Sequence, residues 1–135
     1  MERRIRLIIA DDHSVVRTAL ARVLDDQEDL DVVGEAANGR EAIRLTEELE
    51  PDVVVMDVGM GPVSGTEATR TITALRPSVK IVGLSMHESA WMGRAMLQAG
   101  ARAFVEKAAP LAKLIAEIRN AAEEQPSPGS ASMIR

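Results

Sequence analysis

Five short runs of β-branched and aliphatic residues, each followed by a stretch with helical spacing, constrain this chain more than any other feature. They lie at residues 5–10, 32–36, 53–57, 80–85 and 103–107. Val53-Val54-Val55-Met56 is apolar without alternation, the mark of a strand covered on both faces. Pro51, Pro77 and Gly100 stand as turn signals near the third, fourth and fifth runs. In the first intervening segment, Val15, Val16, Ala19, Leu20, Val23 and Leu24 repeat at helical intervals. The second opens after Asn38-Gly39 and carries Ala42, Ile43 and Leu49; the third opens near Gly65-Thr66 with Ala68, Ile72 and Leu75. The fourth, residues 90–99, places Met92, Met96 and Ala99 at helical spacing and stops at Gly100. The fifth opens with Pro110 at a first-turn position and carries Leu111, Leu114, Ile115 and Ile118. Five alternations of strand and helix predict an α/β chain, a parallel sheet with helices on both faces.

The 135 residues suit one domain, and they suffice to bury roughly 65–70% of the unfolded surface without a metal or disulfide staple. Absence of cysteine removes thiolate metal sites, thiol nucleophiles and redox pairs. A net charge of −5 argues against a body held to nucleic acid by bulk charge. Trp91 and Phe104 are the only aromatic residues, so the core must be aliphatic and base-stacking platforms are not expected. The apolar runs are strand-sized, so no membrane span is expected, and the N-terminus lacks the pattern of a secretory signal. A cytoplasmic location is the expectation. From residue 125 the composition turns to Pro, Ser and Gly, which reads as a linker or disordered tail over 125–135 behind a domain at 1–124.

In open α/β sheets, ligands bind at the carboxyl ends of the strands, where strand order reverses. The first run leads into Asp11-Asp12, the third ends at Asp57, the fourth at Ser85 and the fifth at Lys107. If the strand order is the flavodoxin-like 2-1-3-4-5, the reversal falls between the first and third strands. Asp11, Asp12 and Asp57 then converge on one crevice flanked by Ser85 and Lys107. Three carboxylates in one pocket repel one another, by up to ~4 kcal/mol per close pair at an effective dielectric of about 20. Such a cluster either raises a pKa or holds a cation. An all-oxygen set favours a hard divalent ion, Mg²⁺ above all. A carboxylate at a strand tip beside such an ion suits phosphoryl chemistry with the Asp as nucleophile. Lys107 would offer a point charge to a phosphoryl oxygen, and Ser85 a hydroxyl donor.

These residues resemble the receiver domain of two-component response regulators, over residues 5–124. The matching pieces are Asp11-Asp12-His13, the run Val53-Val54-Val55-Met56-Asp57, Gly65, Leu84-Ser85-Met86-His87, and Ala99-Gly100-Ala101 through Phe104 to Lys107. The resemblance implies a flavodoxin-like, doubly wound, five-stranded parallel sheet with five helices. It implies that Asp57 accepts a phosphoryl group from the phosphohistidine of a sensor histidine kinase. It further implies that Asp11, Asp12 and Asp57 hold Mg²⁺ with the backbone carbonyl of Gly59, and that Ser85 and Phe104 form a switch pair in which the ring swings inward. Such a protein is a phosphoacceptor that assists its own phosphorylation and dephosphorylation rather than an enzyme. The wording of the first, second and fourth segments is most similar to the NarL/LuxR-type group, whose output is a helix-turn-helix DNA-binding domain. DNA contact is expected only through such a domain, absent here. A homodimer is expected through the faces of the fourth and fifth or the first and fifth helices.

Two departures stand out. Met60-Gly61-Pro62 replaces the family's usual Met-Pro-Gly order, so the loop at 58–64 is expected to take its own path and the aim of the Gly59 carbonyl is open. Ala108 stands where this group often has an acidic residue. Two rival functions share parts of this pattern. A Mg²⁺-dependent phosphatase with an Asp nucleophile would carry its nucleophile after the first strand with a second Asp two positions on, and Asp11-Asp12-His13 lacks that spacing. A stand-alone or non-phosphorylated receiver-like binding module is the other. A dinucleotide site is excluded because no G-x-G-x-x-G follows the first strand. His13 and His87 read as surface or loop residues, and Trp91 as an exposed or half-buried ring on the fourth helix.

Overall fold

A computed structural model describes residues 3–85 and 90–123. Ten elements follow in order: β1 (Ile5–Ala10), α1 (Ser14–Asp25), β2 (Leu30–Ala36), α2 (Gly39–Leu49), β3 (Val53–Asp57), α3 (Gly65–Leu75), β4 (Lys80–Ser85), α4 (Ala90–Ala99), β5 (Ala103–Glu106) and α5 (Leu111–Glu123). All four strand pairings are parallel, and the order across the sheet is β2-β1-β3-β4-β5. The expected flavodoxin-like topology is therefore present, with its reversal between β1 and β3. Two boundaries differ from expectation. β2 begins two residues earlier, at Leu30, which pairs with Ile5, and β5 closes at Glu106, leaving Lys107 just past the strand end.

Continuous apolar runs arise because each strand feeds two cores. Leu7, Ile9, Val53, Val55, Val82 and Val105 face α1 and α5, where Leu24, Leu114 and Ile118 meet them. Their neighbours Ile8, Ala10, Val54, Met56 and Ile81 face the other way, onto Ala42, Ala68, Ile72 and Met96. All five residues of β3, the central strand, are buried.

The helix stripes are narrower than the sequence suggests. α1 buries Ala21 and Leu24, with Leu20 partly covered, while Val15 is 81% exposed and Val16 and Val23 are each 41% exposed. α1 packs on β1 and β2, and only one edge of its apolar arc enters the core it shares with α5. Leu75 and Leu111 are likewise exposed at helix ends. Among the described residues no helix is long and apolar enough to cross a membrane.

Candidate functional site

The site grows out of the ends of β1 and β3. The Asp11 amide donates to the Ala36 carbonyl (3.0 Å), extending the β1–β2 ladder one residue beyond the strand and pinning Asp11 in a fully buried position. Asp11 Oδ1 accepts the His13 amide (2.9 Å), turning the chain into α1, for which His13 is the N-cap. The Asp11 carbonyl accepts from Arg17 Nη1 (2.8 Å), and Arg17 Nε donates to Glu35 (3.0 Å). Asp11 is thus fixed through both its main chain and its carboxylate.

Asp57 closes β3 and is 3% exposed. Its Oδ1 accepts the Gly59 amide (3.2 Å). The loop beyond is tied down by Val58 N–H to the Leu84 carbonyl (2.9 Å) and Gly65 N–H to the Val58 carbonyl (3.2 Å). At Gly65 the backbone passes so close that a Cβ would collide with the Asp57 carbonyl oxygen, which only glycine permits. Ser64 and Glu67 then form a reciprocal capping box that starts α3. Between Asp57 and Ser64, Met60 is buried and the Gly61–Pro62 peptide is cis.

From the other side of the sheet, the Lys107 amide donates to the Ser85 carbonyl (2.7 Å), setting the lysine at the tip of β5. Its Nζ reaches Asp11 Oδ2 at 2.7 Å and stands 3.7 Å from Asp57 Oδ2. Ser85 is buried at the end of β4. Asp12 is more open, and His13 Nδ1 lies 3.1 Å from both Asp12 Oδ1 and Asp11 Oδ1. Phe104 is half-buried, packed against the core beneath α4.

The structure therefore brings Asp11, Asp12, Asp57 and Lys107 to one crevice, with Ser85 and Gly59 on the neighbouring tips. His13 belongs to the same group: one ligand atom each from Asp11, Asp12, His13 and Asp57 lie within 4.8 Å of one another. Its place beside the carboxylates depends on the tight turn that Asp11 makes, which no residue spacing announces. His87 lies outside the described residues.

Electrostatics separate the two buried carboxylates. Burial alone would raise Asp11, but hydrogen bonds from Lys107 and the His13 amide outweigh it and hold Asp11 below the usual carboxylate range. Asp57 is pushed up, by burial first and by the neighbouring Asp11 charge, against the Gly59 amide and Lys107. Lys107 serves Asp11 at hydrogen-bond distance and Asp57 only at longer range, which accounts for the opposite directions. Among the described residues, three carboxylates face one ammonium, leaving an excess of negative charge on a donor set of carboxylate oxygens with the His13 ring beside it. That chemistry fits a hard divalent cation.

A sheet that reverses between β1 and β3, with an acid cluster at the reversal and a lysine on the adjoining tip, defines a doubly wound α/β protein whose charged side chains gather at the strand ends, where ligands bind in open sheets of this kind. Residues 7–119 match the family model "Response regulator receiver domain", and the chain belongs to that family, within its NarL/LuxR-type group. It is 42% identical over 115 residues to response regulator GacA of Pseudomonas viridiflava, covering 85% of this chain and 54% of that protein. To the transcriptional regulatory protein LiaR of Bacillus subtilis (strain 168) it is 37% identical over 122 residues, covering 90% and 58%. Among solved structures, a two-component response regulator of the LuxR family from Aurantimonas sp. SI85-9A1 superimposes with a TM-score of 0.85 at 34% identity, covering 88% of this chain and 85% of that one. The chain spans about half the length of the curated relatives it matches. It is a receiver module of two-component signalling rather than a classical enzyme.

Proposed function

We propose that Asp57 accepts a phosphoryl group from the phosphohistidine of a sensor histidine kinase, in a Mg²⁺-dependent reaction. The observation that carries this reading is the buried Asp57 carboxylate at the strand reversal, within 4.8 Å of ligand atoms from Asp11 and Asp12 and 3.7 Å from the Lys107 ammonium. Asp11, Asp12 and Asp57 would hold the ion, with the Gly59 carbonyl as a further oxygen. When bound, Mg²⁺ neutralises charge on the transferring group. An Asp57 carboxylate oxygen attacks phosphorus, the new P–O bond forms as the P–N bond to the donor imidazole breaks, and the imidazole leaves with the electron pair and takes up a proton. Asp57 needs no separate base, because its ionised form is the nucleophile.

Lys107 has two tasks in this scheme. In the unmodified protein it neutralises Asp11; once Asp57 carries the phosphoryl group, about −2 in charge, the ammonium has a stronger partner there. Ser85 donates its hydroxyl to a phosphoryl oxygen, and Phe104 answers by changing its place under α4. The same groups assist later hydrolysis of the acyl phosphate. The module works in the cytoplasm and passes the change to an output, a DNA-binding domain as in transcription regulators of this group, through a face on α4 and α5 or on α1 and α5 that a second copy can occupy. Residues 125–135 would link the module at 1–124 to that output.

Incubation with Mg²⁺ and acetyl phosphate tests the chemistry without the kinase. Intact-mass spectrometry should find one added phosphoryl group, removed by hydroxylamine and absent without Mg²⁺. Asp57→Asn should take up none. A wild-type chain that binds Mg²⁺ yet stays unmodified would instead be a receiver-like binding module.

A further inference from the structure

Asp12 is the most open of the three clustered acids, and no strand carries it: β1 ends at Ala10 and α1 begins at Ser14. Its aim therefore depends on the path of the backbone between the two elements. Two carbonyls bracket it, and both are held by one residue. The Asp11 carbonyl, part of the peptide that joins Asp11 to Asp12, accepts from Arg17 Nη1 at 2.8 Å. The His13 carbonyl accepts from the Arg17 amide, also at 2.8 Å. The mostly buried guanidinium is itself locked, because its Nε donates to Glu35 at 3.0 Å. Glu35 lies on β2 opposite Ile9 of β1, so the tie runs from the sheet through α1 to the turn. The needs of α1 do not account for a cation there. The positive end of the helix dipole disfavours one near the N-terminus. α1 has no acidic residue in its first turn, and its N-cap His13 makes no side-chain cap bond.

We propose that Arg17 is a positioning residue: it fixes the peptide between Asp11 and Asp12 and so aims the Asp12 carboxylate at the ion. The proposal rests on the Mg²⁺ site of the phosphoacceptor reading above. Asp11 keeps other ties when Arg17 is lost, its amide on Ala36 and its carboxylate on Lys107 and the His13 amide. Asp57 and Lys107 are set by β3 and by the Ser85 carbonyl, away from this turn. The effect of Arg17 therefore falls on Asp12, and through it on ion affinity rather than on the nucleophile. The fork of the guanidinium matters as well as its charge. Nε and Nη1 serve two acceptors at once, which the point donor of a lysine does not. An ammonium at 17 is drawn to the charged Glu35 and leaves the neutral Asp11 carbonyl unheld. Glu35→Gln, by contrast, keeps an oxygen for Nε and removes only a charge.

Two measurements on the full chain test this. Calorimetry with Mg²⁺ alone reads the ion, and intact-mass phosphorylation by acetyl phosphate at rising Mg²⁺ reads the chemistry. Arg17→Lys should bind Mg²⁺ about tenfold more weakly than the wild type, and Arg17→Met no better, as when a partner that orients a metal ligand is removed. Both should need about tenfold more Mg²⁺ for half-maximal phosphorylation, while the rate at saturating Mg²⁺ stays within about twofold of the wild type. Glu35→Gln should bind Mg²⁺ within about twofold of the wild type. A residue that served only the fold would lower the melting temperature and leave the Mg²⁺ requirement unchanged. That result, or wild-type Mg²⁺ binding in Arg17→Lys, would overturn the proposal; should Arg17→Met not fold, Arg17→Lys decides. A loss in Glu35→Gln as large as in the Arg17 variants would assign the effect to charge and overturn it too. A wild type that binds no Mg²⁺ would overturn the phosphoacceptor reading and the proposal with it. One that binds Mg²⁺ yet stays unmodified would overturn that reading alone, since calorimetry still judges Arg17.

Discussion

Asp57 is held where its charge is unwelcome: burial and the Asp11 carboxylate raise its pKa. A group whose folded pKa lies above its unfolded value supports the fold below the ordinary carboxylate pKa and loses that support as pH rises through the folded one. Ionised Asp57 therefore weighs on the apo protein at neutral pH. Asp57→Asn should raise the melting temperature by a few degrees at pH 7, and the gain should disappear below about pH 4, where the wild-type carboxyl is protonated. Asp11 has the opposite sign. Its lowered pKa, won from Lys107 and the His13 amide, adds stability above the ordinary value that is lost in acid. Lys107→Met removes the ammonium from a fully buried carboxylate and should cost about 3–5 kcal/mol at pH 7 by denaturant titration. Lowering the pH toward the Asp11 pKa should shrink that cost.

The elements were mostly legible as periodicities. β3 could be read from four consecutive apolar residues before Asp57, because a strand between two helical layers needs no polar face. Asp11, Asp57 and Lys107 could be named in advance because strand ends are easy to find once the strands are. What escaped was anything set by close approach. Gly65 looked like a helix start; the structure adds that its hydrogen atoms make room for the Asp57 carbonyl. His13 looked like a loop residue, since its contact with two carboxylates depends on a turn rather than a spacing. Val15 looked like part of an inward stripe, yet α1 rolls it into solvent. The α3 capping box is an element-scale device with a site-scale effect, because it anchors the loop that leaves Asp57. Ser64→Ala should cost about 1 kcal/mol in unfolding free energy, measurable by urea denaturation.

At the scale of the whole molecule, one strand reversal does the organising. Two aliphatic cores hold β1 and β3 side by side in register, and the acids they carry meet only because both cores are intact. Ligand binding and folding are then linked: an ion that binds only the folded crevice stabilises it by RT ln(1 + [L]/Kd), about 2.7 kcal/mol at a hundredfold excess over Kd. Thermal melts should rise with Mg²⁺ in the wild type and respond far less in Asp57→Asn, whose neutral amide oxygen replaces a charged carboxylate in the proposed ion site.

Chemical trapping of the acyl phosphate puts the central claim to its most direct test. After reaction with acetyl phosphate and Mg²⁺, borohydride reduces a phosphorylated aspartate to homoserine, and peptide mass spectrometry locates the change. Homoserine at position 57, and only when Mg²⁺ was present, is the predicted result; conversion at Asp11 or Asp12 instead, or at no aspartate, would contradict it.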